Sequence, residues 1–481
     1  MEGPKLKSSA VGVQSLATLC LAFFASQTGF ICAWPSYTLA NFTSNSTVLS
    51  RPMTSLEVSL FGAVANIGGL VASPFCGYIF NKVGRKYATV LFGLPYVFAW
   101  LIIAFSKSVT MILLAMGLVG VGIAGQNVSL IFISEISHDS IRGGLTASSA
   151  TGYFIGLLVS YFLGGYLTYY QVVYTHLGLS ILCIVLLLLL KESPVYLMLA
   201  GREEEAAKSI AFYNQVAVDS KLVEVEMRRI RLQLDPRLEK LLETENTDLE
   251  ATEAMLQNKI DNMPRKEPSW KILRKSKSSK RALATVLIII ACTIMMGSVV
   301  LQVYAEPLFK EAVPSMSANL CSIMLAVDLL IASVVCVLVI DKFGRKYLLI
   351  ITSALSGVCT FLLGVQLQVH FAPHWVTAFL IYLYTFVYTV GCAVIPFVLA
   401  AEVFLPEVRS LCNSLSMGFV WLFMFITLFI FNPLVEILGL GSVFYLFSAV
   451  CFLGTVYVYF KLPETKGLSA DAIQVLFLKN K

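Results

Sequence analysis

Twelve apolar stretches, each about as long as a bilayer-crossing helix, run through this chain at 12–38, 56–80, 87–106, 109–133, 144–169, 173–190, 282–304, 317–340, 347–368, 375–399, 411–433 and 440–460. The ~30 Å hydrocarbon core of a membrane takes about 20 apolar residues in helical form. The charges are as uneven as the stretches are regular. Of 64 charged residues, 34 fall between Lys191 and Arg281, which leaves 30 for the other 390. A chain so poor in charge outside one segment cannot cover its surface in water, so it reads as an all-α membrane protein with twelve transmembrane helices. Six stretches precede the charged segment and six follow it. That predicts an N-terminal six-helix bundle (1–190), a linker (191–281), a C-terminal six-helix bundle (282–461) and a tail (462–481). The first stretch runs on into polar sequence at Asn41 without a cleavage-like ending, so it is read as a retained helix.

Basic residues set the direction. With the N-terminus inside, the short inner loops and ends hold fourteen, and the outer loops hold only Arg51, Lys107 and Lys310. The positive-inside rule then places both termini and the linker in the cytosol, with the plasma membrane as the expected location. Asn41-Phe-Thr and Asn45-Ser-Thr fall in the first outer loop as N-glycosylation acceptors, whereas Asn127-Val-Ser lies inside span four. In the linker, Gly201 to Val216 and Lys221 to Leu234 alternate apolar and charged residues at helical spacing, which predicts short amphipathic helices. The stretch 236–281 reads as a solvated linker, and its basic run from Lys271 to Arg281, immediately before span seven, is expected to meet anionic lipid at the inner leaflet. The eleven cysteines form no CxxC pair, and Pro373 interrupts the helix that His370 and His374 would need to share a metal. No cofactor, metal or nucleic-acid partner is expected, and the loops hold no nucleophile–base constellation, so the chain does not read as an enzyme.

Three motif pairs recur in the same order in both halves. Asn81-Lys-Val-Gly-Arg-Lys86 follows span two and Asp341-Lys-Phe-Gly-Arg-Lys346 follows span eight, an offset of 260. Glu135 and Arg142 follow span four, and Glu402 and Arg409 follow span ten, an offset of 267. Glu192-Ser-Pro ends span six and Pro463-Glu-Thr-Lys ends span twelve, with the two glutamates 272 apart. Recurrence of all three on one face of the membrane indicates a 6+6 duplication. Arg85, Glu135 and Arg142 are expected to form one ionic cluster, and Arg345, Glu402 and Arg409 a second. Such clusters would latch the cytosolic ends together in one state and part in the other.

These motifs, with the ESPVYL run at 192–197 and PETKG at 463–467, resemble the sugar porter family of the major facilitator superfamily over essentially the whole chain. The Trp34-Pro-Ser run is similar to the facilitated trehalose transporter branch of arthropods. The resemblance implies two six-helix bundles rocking around a central solute site by alternating access. The family's sugar-binding positions depart from its pattern here. Its paired glutamines of span seven fall at Thr293 and Ile294, its later asparagine at Val299, and its span-five glutamine at Ala150. Its span-ten tryptophan is Phe397, and the asparagine before Trp421 is Val420. Since each sugar hydroxyl taken from water needs a replacement partner, a more apolar site is implied.

Polar groups at membrane depth are functional candidates by default. The pathway candidates are Gln27, Gln126, Thr293, Gln302, Tyr304, Asp328, Phe397 and Trp421. Asn66 and Asn127 are read as amides that join helices. Asp328 is open to proton coupling, to a structural hydrogen bond or to orienting solute, whereas Gln27 stands where proton-driven relatives carry an aspartate and cannot titrate. The leading expectation is a monomeric, facilitative carrier of a sugar or sugar-like solute: hexose, trehalose or glycoside. The alternatives are a proton-coupled symporter using Asp328 and a solute sensor that has kept the fold without transport.

Overall fold

The computed structural model describes residues 7–234, 269–466, 468 and 470–479. Among them, twelve helical segments are long and apolar enough to cross a membrane. The first six are α1 (Ser8–Phe42), α2 (Ser55–Val83), α3 (Arg85–Phe105), the pair α4 and α5 (Val109–Ala124, Gln126–Ile136), α6 (Asp139–Tyr166) and α7 (Tyr169–Leu189). The short helices α8 (Pro194–Leu199), α9 (Glu203–Asn214), α10 (Lys221–Leu234) and α11 (Ser269–Lys275) belong to the linker. The second half begins with α12 (Lys277–Met295), continued by α13 (Ser298–Val303) and α14 (Ala305–Ala312). It goes on through α15 (Ala318–Phe343), α16 (Arg345–Val369), the pair α17 and α18 (His374–Val390, Ile395–Glu402), α19 (Pro406–Leu438) and α20 (Leu440–Lys461), and ends in the tail helix α21 (Ala470–Lys479).

The packing repeats as the motifs do. In the first half span one packs on span five, two on four and three on six; in the second, seven packs on eleven, eight on ten and nine on twelve. The two largest contacts between the bundles are span two with span eleven and span five with span eight, and the duplication exchanges one for the other. Lipid offers apolar helices no hydrophobic reason to associate, so close approach through small residues carries the packing. Between α1 and α6 a Cβ on Gly29 would fall 2.2 Å from the Tyr153 carbonyl, and one on Gly156 2.3 Å from the Ser26 carbonyl. Large side chains such as Phe75, Tyr78, Leu338 and Phe361 face outward.

Three predicted spans are interrupted. Span four breaks at Gly125, against the Phe92 side chain; span ten breaks between Val390 and Ile395; span seven divides into α12, α13 and α14. Gly297, at φ +93°, makes the first break in span seven in the left-handed region that favours glycine. An unwound turn inside a membrane persists only where protein or a cavity supplies partners for its backbone. Here the Tyr384 hydroxyl donates to the Met296 carbonyl and that of Tyr388 to the Thr293 carbonyl, each across from span ten.

The predicted amphipathic helices of the linker are α9 and α10, packed through Ile210, Ala211, Val223 and Ile230. The solvated reading of 236–281 is corrected at its end, where α11 and the start of α12 are helical; residues 235–268 lie outside the described set. One amide that the sequence reading passed over ties the linker to the bundle. Gln14, fully buried on α1, accepts from the His138 backbone N–H at 2.9 Å and donates to the Tyr213 carbonyl at 3.2 Å. It thereby joins span one, the loop after span four and helix α9. Gln14→Ala strands a buried donor and acceptor, a loss of about 1–3 kcal/mol. Amide exchange in 203–214 should then rise at least about tenfold with the spans unchanged, as read by hydrogen-exchange mass spectrometry.

Candidate functional site

Both described chain ends lie on one face, and the repeated motifs assemble there into two matching clusters. The Arg85 guanidinium donates to Glu135, with Nε to Oε2 at 3.0 Å and Nη2 to Oε1 at 2.9 Å. Arg345 meets Glu402 likewise, with Nε to Oε1 at 3.2 Å and Nη2 to Oε1 at 2.8 Å. A second carboxylate completes each cluster. Glu192 accepts the backbone N–H groups of Arg85 at 2.9 Å and Lys86 at 3.0 Å, and Glu464 accepts those of Arg345 at 2.9 Å and Lys346 at 3.1 Å. These N–H groups open α3 and α16, where a helix leaves its first donors unsatisfied and its dipole favours an anion. Burial pushes the Glu192 carboxyl above its ordinary range, while the backbone donors pull the other way. The Ser193 hydroxyl donates to Glu135, and that of Thr465 to Glu402 at 3.1 Å.

Gly84 and Gly344 explain why each motif needs glycine. Both have positive φ, +98° and +83°, and a Cβ would fall 2.3 Å from Glu192 Oε2 in one and 2.8 Å from Glu464 Oε2 in the other. Of the expected cluster members, Arg85 meets Glu135 and Arg345 meets Glu402. Arg142 donates to the Ser137 carbonyl at 3.2 Å and Arg409 to the Phe404 carbonyl at 3.3 Å, each bracing the turn before its own helix. Glu192, Ser193, Glu464 and Thr465 hold places that the sequence reading used only as repeat markers. Their shared offset of 272 was the available signal.

On the opposite face the broken span seven meets the first bundle. The Tyr153 hydroxyl donates to Gln302 Oε1 at 2.8 Å, Tyr161 donates to the Gln302 carbonyl, and the Glu306 N–H donates to Ser36 Oγ at 2.8 Å. The Tyr304 ring stacks on Phe431 with centroids 5.6 Å apart, and its hydroxyl lies where a Cβ on Gly62 would be, 2.1 Å away. Gln302 and Tyr304, expected to line a pathway, therefore sit in a seal between α13, α14 and spans one, two and five. Trp421 bridges the bundles nearer mid-depth, its Nε1 donating to Ser73 Oγ at 2.7 Å and its ring lying flat on Gly69.

Most amides between these two layers are bound within their own bundle. Gln27 is 1% exposed and accepts from Ser180 on α7 at 2.7 Å, so it is turned away from the interior between the bundles. Gln126 donates to Thr28 Oγ1 at 3.0 Å and the Phe24 carbonyl at 3.2 Å, beside Tyr96. Thr293 is buried and bonds back to the Ile289 carbonyl, and Asn66 to that of Ala63. Asp328 accepts from Thr385 at 2.8 Å, joining spans eight and ten. Phe397 is exposed. So is Asn127, which corrects its reading as a helix-joining amide. The Tyr304 hydroxyl and the Asn432 amide nitrogen, on adjoining side chains, are buried and face each other. Asn432 was not singled out from sequence, because it lies within a run otherwise typical of a span. Of the two outer-loop acceptors, Asn45 is exposed, while Asn41 accepts from the Val48 N–H at 3.1 Å.

Duplicated six-helix bundles that meet through spans two and eleven and spans five and eight define a membrane protein of the major facilitator fold. Residues 13–477 match the family described as sugar (and other) transporter, and the chain belongs to that family, whose members are transporters and not enzymes. It is 26% identical over 469 residues to a facilitated trehalose transporter of Polypedilum vanderplanki, covering 96% of this chain and 87% of that one. It is 24% identical over 477 residues to a facilitated trehalose transporter of Drosophila virilis, covering 96% of this chain but only 48% of the relative. The chain thus spans about half the length of several fly relatives. In fold it is similar to the xylose transporter of E. coli in a partially occluded inward open conformation, with TM-score 0.75, 19% identity, and 95% of this chain and 100% of that one covered. It is also similar to the inward open form of that transporter, with TM-score 0.74, 18% identity, and 97% and 99% covered.

The seal yields a direct test. Tyr304→Ala combined with Tyr153→Phe removes the wedge and a cross-bundle hydrogen bond. A cysteine placed at Val303, buried on α13, should then react at least about tenfold faster with a membrane-impermeant thiol reagent added on that side. An unchanged rate would mean that the contacts do not close the face.

Proposed function

We propose that this protein is a facilitative carrier of the plasma membrane that moves a sugar or sugar-like solute by alternating access, seen here in its inward-facing state. The supporting observation is the asymmetry of its polar contacts. On the face opposite the chain ends, span seven is bonded across to the first bundle, whereas each ionic cluster on the terminal face joins helices of its own bundle. The basic residues of the terminal face support a cytosolic position for it. In this reading 1–190 and 282–461 rock as two units joined by 191–281, the clusters keep each unit rigid, and they draw together when the cytosolic side closes. The chain acts as a monomer, and Asn45 is the glycosylated acceptor.

The names of the relatives make trehalose and pentoses or hexoses the first solutes to test. With Gln27, Gln126 and Thr293 bonded inside their bundles, few amides remain for sugar hydroxyls, and Phe397 offers an apolar surface. A disaccharide or glycoside held by stacking, with Asn127 and Asn432 as polar contacts, fits such a site better than a free hexose. A second reading rests on Asp328, an acid within an apolar span whose bond to Thr385 leaves one oxygen for a proton or a solute.

Purified protein in liposomes, given labelled trehalose, hexoses and glycosides with and without a pH gradient, separates the readings. Saturable uptake that ignores the gradient and favours trehalose or a glycoside over glucose is expected. Uptake that needs external acid and fails in Asp328→Asn would establish coupling; binding without flux would establish a sensor. Arg345→Ala should slow exchange roughly tenfold or more while changing solute affinity little, since its bonds to Glu402 lie far from the solute. An equal loss in affinity would count against a role in rocking.

A further inference from the structure

The segment 269–281 carries Lys271, Arg274, Lys275, Lys277, Lys280 and Arg281 and no acid, a charge equal to the +6 of the whole chain. All six side chains are exposed. The same short segment is amphipathic: Ile272 and Leu273 pack against the bundle core, and α11 lies on α12 and α19. Trp270 stands at its outer edge, 54% exposed, with Lys271 Nζ 5.6 Å from the ring centroid. A span begins at once with Lys277, so this strip lies at the level where the chain enters the bilayer. An indole is at home at headgroup depth, its ring toward the acyl boundary and its N–H toward water. Arg281 donates to the Phe477 carbonyl at 3.5 Å. Lys277 and Lys280 occupy the first turns of α12, where the helix dipole favours an anion beside them.

From this geometry we infer that α11 and the first turns of α12 form a docking site for anionic phospholipid headgroups. The cations take the phosphate and carboxylate oxygens, Trp270 rests at the acyl boundary, and Ile272 and Leu273 hold the strip against the bundle. Exposed tryptophan at membrane level favours a lipid over a free phosphate, which needs only the cations. On the orientation proposed above, the strip meets the inner leaflet, where anionic lipids gather. Span seven would thereby be fixed at its cytosolic end while its outer segments make and break the seal.

The test uses the full chain in nanodiscs of phosphatidylcholine carrying a minor fraction of dansyl-phosphatidylserine or dansyl-phosphatidylcholine. The readout is energy transfer from tryptophan, with Trp270→Phe giving the share owed to Trp270. The serine lipid should be preferred several-fold. The variant Lys271→Gln/Arg274→Gln/Lys277→Gln/Lys280→Gln should lose that preference, with the ratio falling to about one, and Lys271→Arg/Lys277→Arg/Lys280→Arg should keep it. Equal transfer from both lipids would overturn the proposal. So would full displacement of the serine lipid by inositol hexakisphosphate, which would reassign the strip to soluble phosphates. No solute or flux enters this measurement, so its failure is separate from failure of the transport reading.

Discussion

A polar group inside a bilayer has no water to turn to, and the rest of the structure depends on how this chain meets that constraint. Many amides and hydroxyls within the spans are given a partner by their own helix or by a neighbour in their own bundle. The consequence is a division of labour by depth. Strong charge pairs are kept to the aqueous margin, neutral hydrogen bonds hold the interior of each bundle, and the few bonds that cross between bundles gather around the broken span seven and Trp421. A solute arriving between the bundles meets mostly apolar side chains and a small set of polar atoms that have no other use.

Duplication supplies the margin twice. Each half places one carboxylate against an arginine and a second against the opening of a helix, with a hydroxyl joining the two. The second carboxylate binds backbone, so side-chain substitutions on the helix it caps cannot replace it. The basic letters of the motif draw the eye in sequence, yet the geometry is dictated as much by the bare glycine and the distant glutamate. The halves differ in what lies beneath them. Helices α8 to α10 are docked under the first bundle through Gln14, and α21 packs on α12 under the second, where Ser279 and Gln474 adjoin.

The spans, the repeat and the fold were legible in the sequence because apolar length and motif spacing are local properties. What could not be read was direction. Helical periodicity cannot say whether Gln27 turns toward the interior or toward Ser180, since that depends on which helix lies behind it. It likewise misassigned Asn127, which is exposed on a helix whose neighbour Gln126 is tied inward. Span seven read as one helix because its composition stays apolar through the break; only Gly297 hinted at it. Arg142 and Arg409 were grouped with the glutamates seven residues earlier, and each donates to the carbonyl that closes its own turn.

Trp421 lies on Gly69 with its ring against bare backbone and a single hydrogen bond to Ser73. Interlocking side chains at that point would have to be lifted out of register whenever one bundle turned on the other. A flat ring on an uncovered stretch of helix has no teeth to disengage. In the rocking proposed above, the contact between spans two and eleven would act as a bearing on which the two halves tilt while staying in touch, with the parts that open and shut at the ends.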